Sequence, residues 1–141
     1  MIDLRTAQEG DLTAIHALES EAFPTGWSVA AWAEECENHF VGIACSAEVV
    51  GVISMGLVAE TAEVRRIIVA AALQGQGIGR TLLEYGCDWA RCHGAAEVFL
   101  EVSAGNSAAI ALYESSGFEH LHTRPNYYGL GDDALVYRKE A

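Results

Sequence analysis

The sequence is poor in positive charge, and this narrows the range of partners. Lys and Arg account for 8 of its 141 residues, against 20 Asp and Glu, so the formal net charge at pH 7 is −12. Nucleic-acid binding depends on cationic side chains that neutralise phosphates, so we expect no direct nucleic-acid partner. The acidic excess is compatible with steering a basic protein or peptide toward the surface, although such an excess also serves simply to keep a protein soluble.

Long hydrophobic runs are also missing. The longest uninterrupted apolar run, residues 67–73, is far shorter than the roughly 20 residues that a membrane-spanning helix needs. The amino-terminal segment MIDLRTAQEG reaches the charged residues Asp3 and Arg5 at once, which does not fit the apolar core of a signal peptide. We therefore expect a cytoplasmic protein that makes no membrane contact.

The cysteines form no recognisable metal or disulfide motif. They are Cys36, Cys45, Cys87 and Cys92, and none has C-x-x-C spacing. We expect them to be reduced, buried thiols. His120 and His122 alternate along a predicted strand and should share a face, but no cysteine or carboxylate cluster accompanies them. The sequence therefore predicts no metal site.

The pattern of elements predicts the fold class. The chain has 141 residues, of which 51% are hydrophobic, and this suits a single domain over residues 1–141. Apolar periodicity, with glycines and prolines as breaks, predicts the order β-α-α-β-β-β-α-β-α-β-β. A long antiparallel meander and a single βαβ crossover indicate an α/β fold, or α+β with a mixed sheet. Its one central sheet is mostly antiparallel and is flanked by helices.

Polar residues mark the starts of three predicted helices. Asp11, Ser28 and Asn106 each precede an apolar-periodic segment and are of the types that cap a helix amino terminus. Pro24 and Gly26 are expected to end the first of these helices. A further helix is predicted over residues 77–93, where an apolar stripe recurs at helical spacing and is followed by a glycine.

Residues 73–80 read LQGQGIGR, with three alternating glycines before the helix of residues 77–93. The dinucleotide fingerprint G-x-G-x-x-G would need a glycine where Arg80 or Leu82 stands, and the Walker loop would need a Lys-Ser or Lys-Thr pair that is absent. Glycines that open a helix still favour an anion site, because the first helical N–H groups are unpaired and lie at the positive end of the dipole. A merely flexible loop is the alternative.

Three segments resemble motifs of the GNAT acetyltransferases. QGQGIG (74–79), after a strand and opening a helix, is similar to the Q/R-x-x-G-x-G/A motif. LEVSAGNSAAIALYESSGF (100–118) is similar to L-E-V-x-x-x-N-x-x-A-x-x-L-Y-x-x-x-G-F. RPNYYGLGDDALVY (124–137) resembles the R-x-N-Y-Y…D-A ending of the branch that acetylates protein amino termini. The chain resembles this superfamily along nearly its full length, and within it the bacterial ribosomal-protein-alanine N-acetyltransferases of the RimI type.

The resemblance implies the GNAT fold, with a splay between the fourth and fifth strands, and acetyl-CoA as cosubstrate. The pyrophosphate of acetyl-CoA would be held by backbone N–H groups at the start of the helix, those of Gly75, Gln76, Gly77, Ile78, Gly79 and Arg80. The pantetheine arm would pair with the backbone of Ile67, Ile68 and Val69, much as a strand adds to a sheet edge. Asn106 is most simply a helix cap, and in the family its side chain also serves the cofactor.

The resemblance also implies which residues carry the chemistry. It places the general base at Glu101 and the general acid at Tyr113. Glu101 ends an apolar strand, where a carboxylate that merely faces water is the alternative. Tyr113 lies two helical turns after Asn106, where a core tyrosine is the alternative.

The acceptor site is expected where the two strands splay apart. Asn126, Tyr127 and Tyr128 would form one wall, and residues 23–28 (FPTGWS) would form the other. Exposed neighbouring tyrosines suit gripping a peptide, although strict alternation along a strand would bury one of the two.

Three departures from the family pattern lie on this acceptor side. Thr25-Gly26 look inserted into the loop, Arg65-Arg66 are more charged than is usual, and Pro125 stands where a basic residue is common. Arg65 and Arg66 could simply be a solvated strand edge.

Three functions remain in competition. The first is acetylation of a basic protein amino terminus, specifically the amino-terminal alanine of a small-subunit ribosomal protein. The second is acetylation of a small amine or a lysine side chain. The third is an inactive acyl-CoA-binding or interaction module, against which the presence of Glu101 and Tyr113 argues. The sequence leaves the oligomeric state open.

Overall fold

The computed structural model describes residues 1–23 and 26–141. Its helices are α1 (Leu12–Ala22), α2 (Val29–Asn38), α3 (Ile78–Cys92) and α4 (Ser107–Ser115). Its strands are β1 (Asp3–Thr6), β2 (Phe40–Ser46), β3 (Glu48–Val58), β4 (Thr61–Val69), β5 (Glu97–Ser103), β6 (Glu119–Gly129) and β7 (Asp132–Glu140). The predicted order of elements is confirmed. None of the helices in these two ranges is long and apolar enough to cross a bilayer.

The strands form one seven-stranded sheet in the order β1-β2-β3-β4-β5-β7-β6. Every neighbouring pair is antiparallel except β4 and β5, which run parallel because α3 carries the chain across between them. The predicted mixed, mostly antiparallel sheet is therefore confirmed.

The parallel pair stays together over a short distance only. Residues 61–63 of β4 pair with residues 97–99 of β5, and no further pairing follows. Just beyond this point β4 carries a bulge, because Met55 of β3 lies opposite Val64 while the preceding Ser54 lies opposite Arg66. The extra residue, Arg65, bends the strand as bulges do. The sheet thus opens between its fourth and fifth strands, as predicted.

Alternating residues of the central strands face two separate layers of helix. Val52 and Ile68 are buried with Ile15 and Trp32 of α1 and α2. Ile53 of β3 is buried in a second cluster with Leu82 of α3. The sheet is therefore covered on both faces, and its opening lies between packed helical layers.

Two of the three predicted caps are confirmed. The Ser28 hydroxyl accepts a hydrogen bond from the N–H of Ala31 at 3.1 Å, and the Asn106 amide oxygen accepts one from Ala109 at 3.2 Å. Asp11 does precede α1, but it makes no side-chain cap there. Its carboxylate instead accepts from the guanidinium of Arg5 and from a backbone N–H before the helix. The predicted break at Pro24 and the position of Thr25 lie outside the described residues.

Two expectations about side-chain placement are wrong. The thiols are free, but Cys92 is exposed, because it falls on the outer side of the last turn of α3. His120 and His122 do not share a face, since they lie opposite the successive residues Tyr137 and Val136 of β7. A bulge at Leu121 shifts the alternation by one residue, and this reverses one of the two side chains.

Candidate active site

The open stretch of β4 presents a free backbone edge. Ile67, Ile68 and Val69 pair with residues 51–53 of β3 on one side, whereas the side that would face β5 is past the end of the parallel pairing. The side chain of Ile68 is buried in the core under α1 and α2. The Val69 carbonyl accepts a hydrogen bond from Nε2 of Gln74 at 3.3 Å. The side chains therefore hold the strand in place, and among the described residues this edge has no neighbouring strand, so it suits pairing with another extended chain.

The glycine-rich loop follows this strand and opens α3. Gly75 and Gly77 have φ values of 83° and 86°, which L-residues with side chains rarely adopt. Nothing lies within 4 Å of the place where a Cβ would stand on either glycine. Gly77 occupies the N-cap position of α3 without a capping side chain, and the first helical N–H groups have no acceptor within the helix. The loop thus leaves room beside a helix start for a group that carries several hydrogen-bond-accepting oxygen atoms.

The start of α3 is tied to the end of α4 by Arg80. Its guanidinium donates to the carbonyl and to the hydroxyl of Ser115, at 3.3 and 2.7 Å. Ile78 is buried beneath the loop, whereas Gln76 is exposed. Asn106 lies at the other end of α4, which it caps. The glycine-rich loop and Asn106, both predicted to bind the cofactor, are therefore held at the ends of α3 and α4.

Glu101 lies on β5 on the far side of the opening. Its side chain is 33% exposed and pairs with the guanidinium of Arg124, with 3.3 Å between Nη1 and Oε1. The neighbouring residues Leu100 and Val102 are buried. The carboxylate therefore emerges from an apolar strand into a charged, partly solvated position.

Tyr113 is enclosed by the protein, with 6% of its surface exposed. Burial, with a smaller contribution from Tyr128, raises the pKa of Tyr113 to about 12. The pKa of Tyr128 is itself raised, first by burial and then by the charge of Glu101. Tyr128, a tyrosine of the predicted acceptor wall, is thus close enough to each of the other two groups to interact with them electrostatically.

The predicted acceptor wall is a wide bulge in β6. Arg124 and Gly129 pair with Ala134 and Asp132 of β7, so four residues, 125–128, lie opposite a single one. Tyr127 and Tyr128 are both exposed, at 53% and 48%, so the expectation that alternation buries one of them is wrong. A bulge of this size breaks the alternation on which that expectation depended.

Asn126 is the turn residue of this bulge. It has a φ of 55°, a conformation that asparagine tolerates better than most residues. Its backbone N–H donates to Asp133 at 2.9 Å, and its amide oxygen accepts from the N–H of Gly131 at 2.7 Å. Asn126 therefore shapes the hairpin that presents the two tyrosines.

Arg65 and Arg66 are not a solvated strand edge, and that alternative is wrong. Arg65 donates to Glu35 of α2 at 2.5 Å and to Glu63 at 3.2 Å. Arg66 is paired with the fully buried Glu19 of α1. Both arginines therefore anchor the open part of β4 to the helices above it.

The sequence patterns do not predict that Glu19 and Glu35 pair with these arginines, or that Arg124 lies beside Glu101. The sequence does contain a signal that Glu19 and Glu35 are buried. Glu19 follows Ile15 by four residues on the apolar stripe of α1, and Glu35 follows Trp32 by three on that of α2. A carboxylate on a buried helical face requires an internal partner, although the sequence does not say which one.

A mixed sheet that opens beside a glycine-rich helix start defines the GNAT-like N-acyltransferases as a class. The chain belongs to the acetyltransferase (GNAT) family, whose model matches residues 12–118. The predicted superfamily is therefore confirmed.

Relatives support the narrower resemblance. Ribosomal protein bS18-alanine N-acetyltransferase of Escherichia coli is 33% identical over 141 residues, which cover 96% of this chain and 95% of that protein. N-alpha-acetyltransferase RimI of Mycobacterium tuberculosis is 38% identical over 123 residues, or 82% of this chain and 76% of that protein. An uncharacterised Mycobacterium leprae protein is 36% identical over 99% of this chain, which spans only 41% of that longer protein.

A solved structure agrees with these relatives. The crystal structure of the ribosomal-protein-S18-alanine N-acetyltransferase from Escherichia coli superposes with a TM-score of 0.90 at 32% identity, covering 99% of this chain and 94% of that one. The resemblance to the RimI type is thus confirmed in sequence and in fold.

Proposed function

We propose that the protein transfers an acetyl group from acetyl-CoA to the α-amine of a protein amino terminus, the acceptor being the amino-terminal alanine of a small-subunit ribosomal protein. The observation that carries this proposal is the position of Glu101 on β5, past the end of the parallel pairing with β4 and close enough to Tyr128 of the β6 bulge to raise the pKa of that tyrosine. The relatives named for alanine N-acetylation support the choice of acceptor.

The residues around the opening fit acetyl-CoA. The empty space over Gly75 and Gly77 suits a close approach of the pyrophosphate to the backbone. The free edge at Ile67, Ile68 and Val69 suits the amide groups of the pantetheine arm. When bound, acetyl-CoA supplies the acetyl group as a reactive thioester.

The chemistry assigned to this chain consists of two proton transfers. Glu101 accepts a proton from the acceptor ammonium, so that the amine lone pair becomes available for attack. Tyr113 holds a proton at its hydroxyl for the leaving sulfur, and its raised pKa keeps that proton in place throughout the neutral range. Tyr113 thus starts in the protonation state that its role requires.

An α-amine suits this arrangement better than a lysine side chain. Its pKa is about 8, against about 10.4 for lysine, so a carboxylate base removes its proton more readily. The exposed Tyr127 and Tyr128 offer ring surface to the first residues of a peptide. The net charge of −12 favours approach of a basic amino terminus.

Replacing Gly77 with Leu is expected to weaken acetyl-CoA binding by about tenfold or more, because the side chain would fill the space beside the helix start. Gly94→Leu is the matched control, since Gly94 has a φ of 91°, equally open surroundings and a place at the other end of α3. Calorimetric titration with acetyl-CoA measures both variants. Equal affinities in the two variants would argue against the loop as the phosphate site.

Glu101→Gln is expected to lower kcat at pH 7 by roughly 10²-fold, the low end of the range for general bases, with little change in acetyl-CoA affinity. The loss should shrink as the pH rises through about 8, where the α-amine deprotonates unaided. Glu97→Gln is the control, because Glu97 lies on the same strand, is 35% exposed and also pairs with an arginine, Arg138. Full activity of Glu101→Gln at pH 7 would remove this carboxylate from the mechanism.

Tyr113→Phe is expected to lower kcat by a similar factor of roughly 10², but evenly between pH 6 and pH 9. The raised pKa, about 12, means that the parent tyrosine is protonated throughout this range. Tyr137→Phe is the control, since Tyr137 is also buried and its hydroxyl donates to Glu114. A loss that depends on pH in this window would contradict the acid role.

Comparison of acceptors tests the proposed function itself. Acetyl transfer should be fastest with a synthetic peptide that begins with alanine and carries basic residues. It should be slow with polyamines and with the same peptide when its amino terminus is blocked and an internal lysine is left free. Mass spectrometry locates the acetyl group. Equal rates on the blocked lysine peptide would favour the second function, and binding of acetyl-CoA without any transfer would favour the inactive module.

A further inference from the structure

Glu19 joins three separate elements at one buried carboxylate. It is fully buried near the end of α1. Its Oε1 accepts a hydrogen bond from the backbone N–H of Trp27 at 2.8 Å, and it also accepts from the guanidinium of Arg66 on β4. The helix, the segment after it and the open strand therefore meet at a single side chain.

Gly26 allows the chain to lie directly on this carboxyl group. A Cβ at position 26 would stand 2.6 Å from Cγ and 2.7 Å from Oε1 of Glu19, closer than real Cβ atoms come to other atoms. The lack of space beside Glu19 therefore demands a glycine there. Gly26, one of the two residues that look inserted in the sequence, therefore permits this close contact.

Arg66 completes the contact from the side of the sheet. Its guanidinium carbon lies 4.2 Å from the ring centroid of Trp27 and 4.9 Å from that of Phe23. A planar guanidinium can stack on an aromatic face and pair with a carboxylate at once, which an ammonium does less well. Arg66 lies just past the bulge where β4 leaves β5, so it ties both aromatic residues to the opening.

The aromatic residues held in this way border the expected acceptor side. Phe23 is exposed, and Trp27 lines a surface depression together with Glu35 and Arg65. Trp27 is fixed by the hydrogen bond from its backbone N–H to Glu19, and both rings lie against Arg66. Two departures from the family pattern, Gly26 and Arg66, thus converge on the one carboxylate that fixes Trp27.

We propose that Glu19, Gly26 and Arg66 form a clamp that positions Phe23 and Trp27 for the acceptor and so determines acceptor affinity. The clamp is made of positioning residues that act through the two aromatic side chains. This inference rests on the proposed function, because it assumes that a peptide amino terminus enters at the opening.

Two mild variants test the clamp without removing its buried charge. Gly26→Ala pushes the segment off Glu19, and Arg66→Lys keeps the positive charge but loses the planar stack. Each is expected to raise the KM of an alanine-first peptide by about tenfold while the KM of acetyl-CoA stays within about twofold. Gly10→Ala is the matched control, because nothing lies within 4 Å of a Cβ at that exposed glycine.

The double variant Gly26→Ala/Arg66→Lys tests whether Gly26 and Arg66 act through the same contact. Both single changes displace the same segment, so the combined rise in peptide KM should be smaller than the product of the two separate rises. A fully multiplicative rise would mean that Gly26 and Arg66 act independently, and would contradict the clamp.

Failure of the clamp and failure of the proposed function give different results. If the parent protein acetylates the peptide and its peptide KM is unchanged in both variants, the clamp is wrong and the function stands. If calorimetry shows acetyl-CoA affinity falling in step with the rise in peptide KM, the contacts are merely structural and the clamp is again wrong. A parent protein that transfers nothing to the peptide α-amine overturns the proposed function and the clamp with it.

Discussion

The separation of β4 from β5 is the constraint on which the rest of this molecule depends. Their parallel pairing covers residues 61–63 and 97–99 and then ends, although both strands continue. Each is kept extended by its other neighbour, β4 by β3 and β5 by β7. Backbone N–H and C=O groups within a covered sheet need partners. An opening of this kind is therefore stable as a place where water or an extended ligand completes the sheet.

Charged pairs surround the opening and hold its two sides in different ways. On the β4 side, Arg66 is paired with a carboxylate that is fully buried. Removing one member of such a pair leaves an uncompensated buried charge, so the geometry there is strictly enforced. On the β5 side, Glu101 and Arg124 are partly solvated, and an exposed pair of this kind contributes little to stability. The rigid side suits positioning, whereas the solvated side suits proton exchange.

Local signals in the sequence were enough for the order of elements and for many of their boundaries. Ser28 and Asn106 cap helices because a short polar side chain satisfies the N–H groups next to it in the chain. The bulges at Arg65, at Leu121 and over residues 125–128 depend on the register of a partner strand, which no local pattern encodes. The pairing of Arg66 with Glu19 spans 47 positions. The predicted acceptor side, which includes the bulge over residues 125–128 and borders this pair, is for that reason the part least accessible from sequence.

The contrast between the proposed acid and base follows from their depth in the protein. A tyrosine at the depth of Tyr113 cannot readily lose its proton to bulk water, because burial penalises the phenolate. A carboxylate at the position of Glu101 can pass a proton to solvent, since a third of its side chain is exposed. Tyr128 lies close enough to influence both groups electrostatically, and it belongs to the bulge of residues 125–128. The bulge that carries Tyr128 therefore couples electrostatically to the proposed acid and to the proposed base.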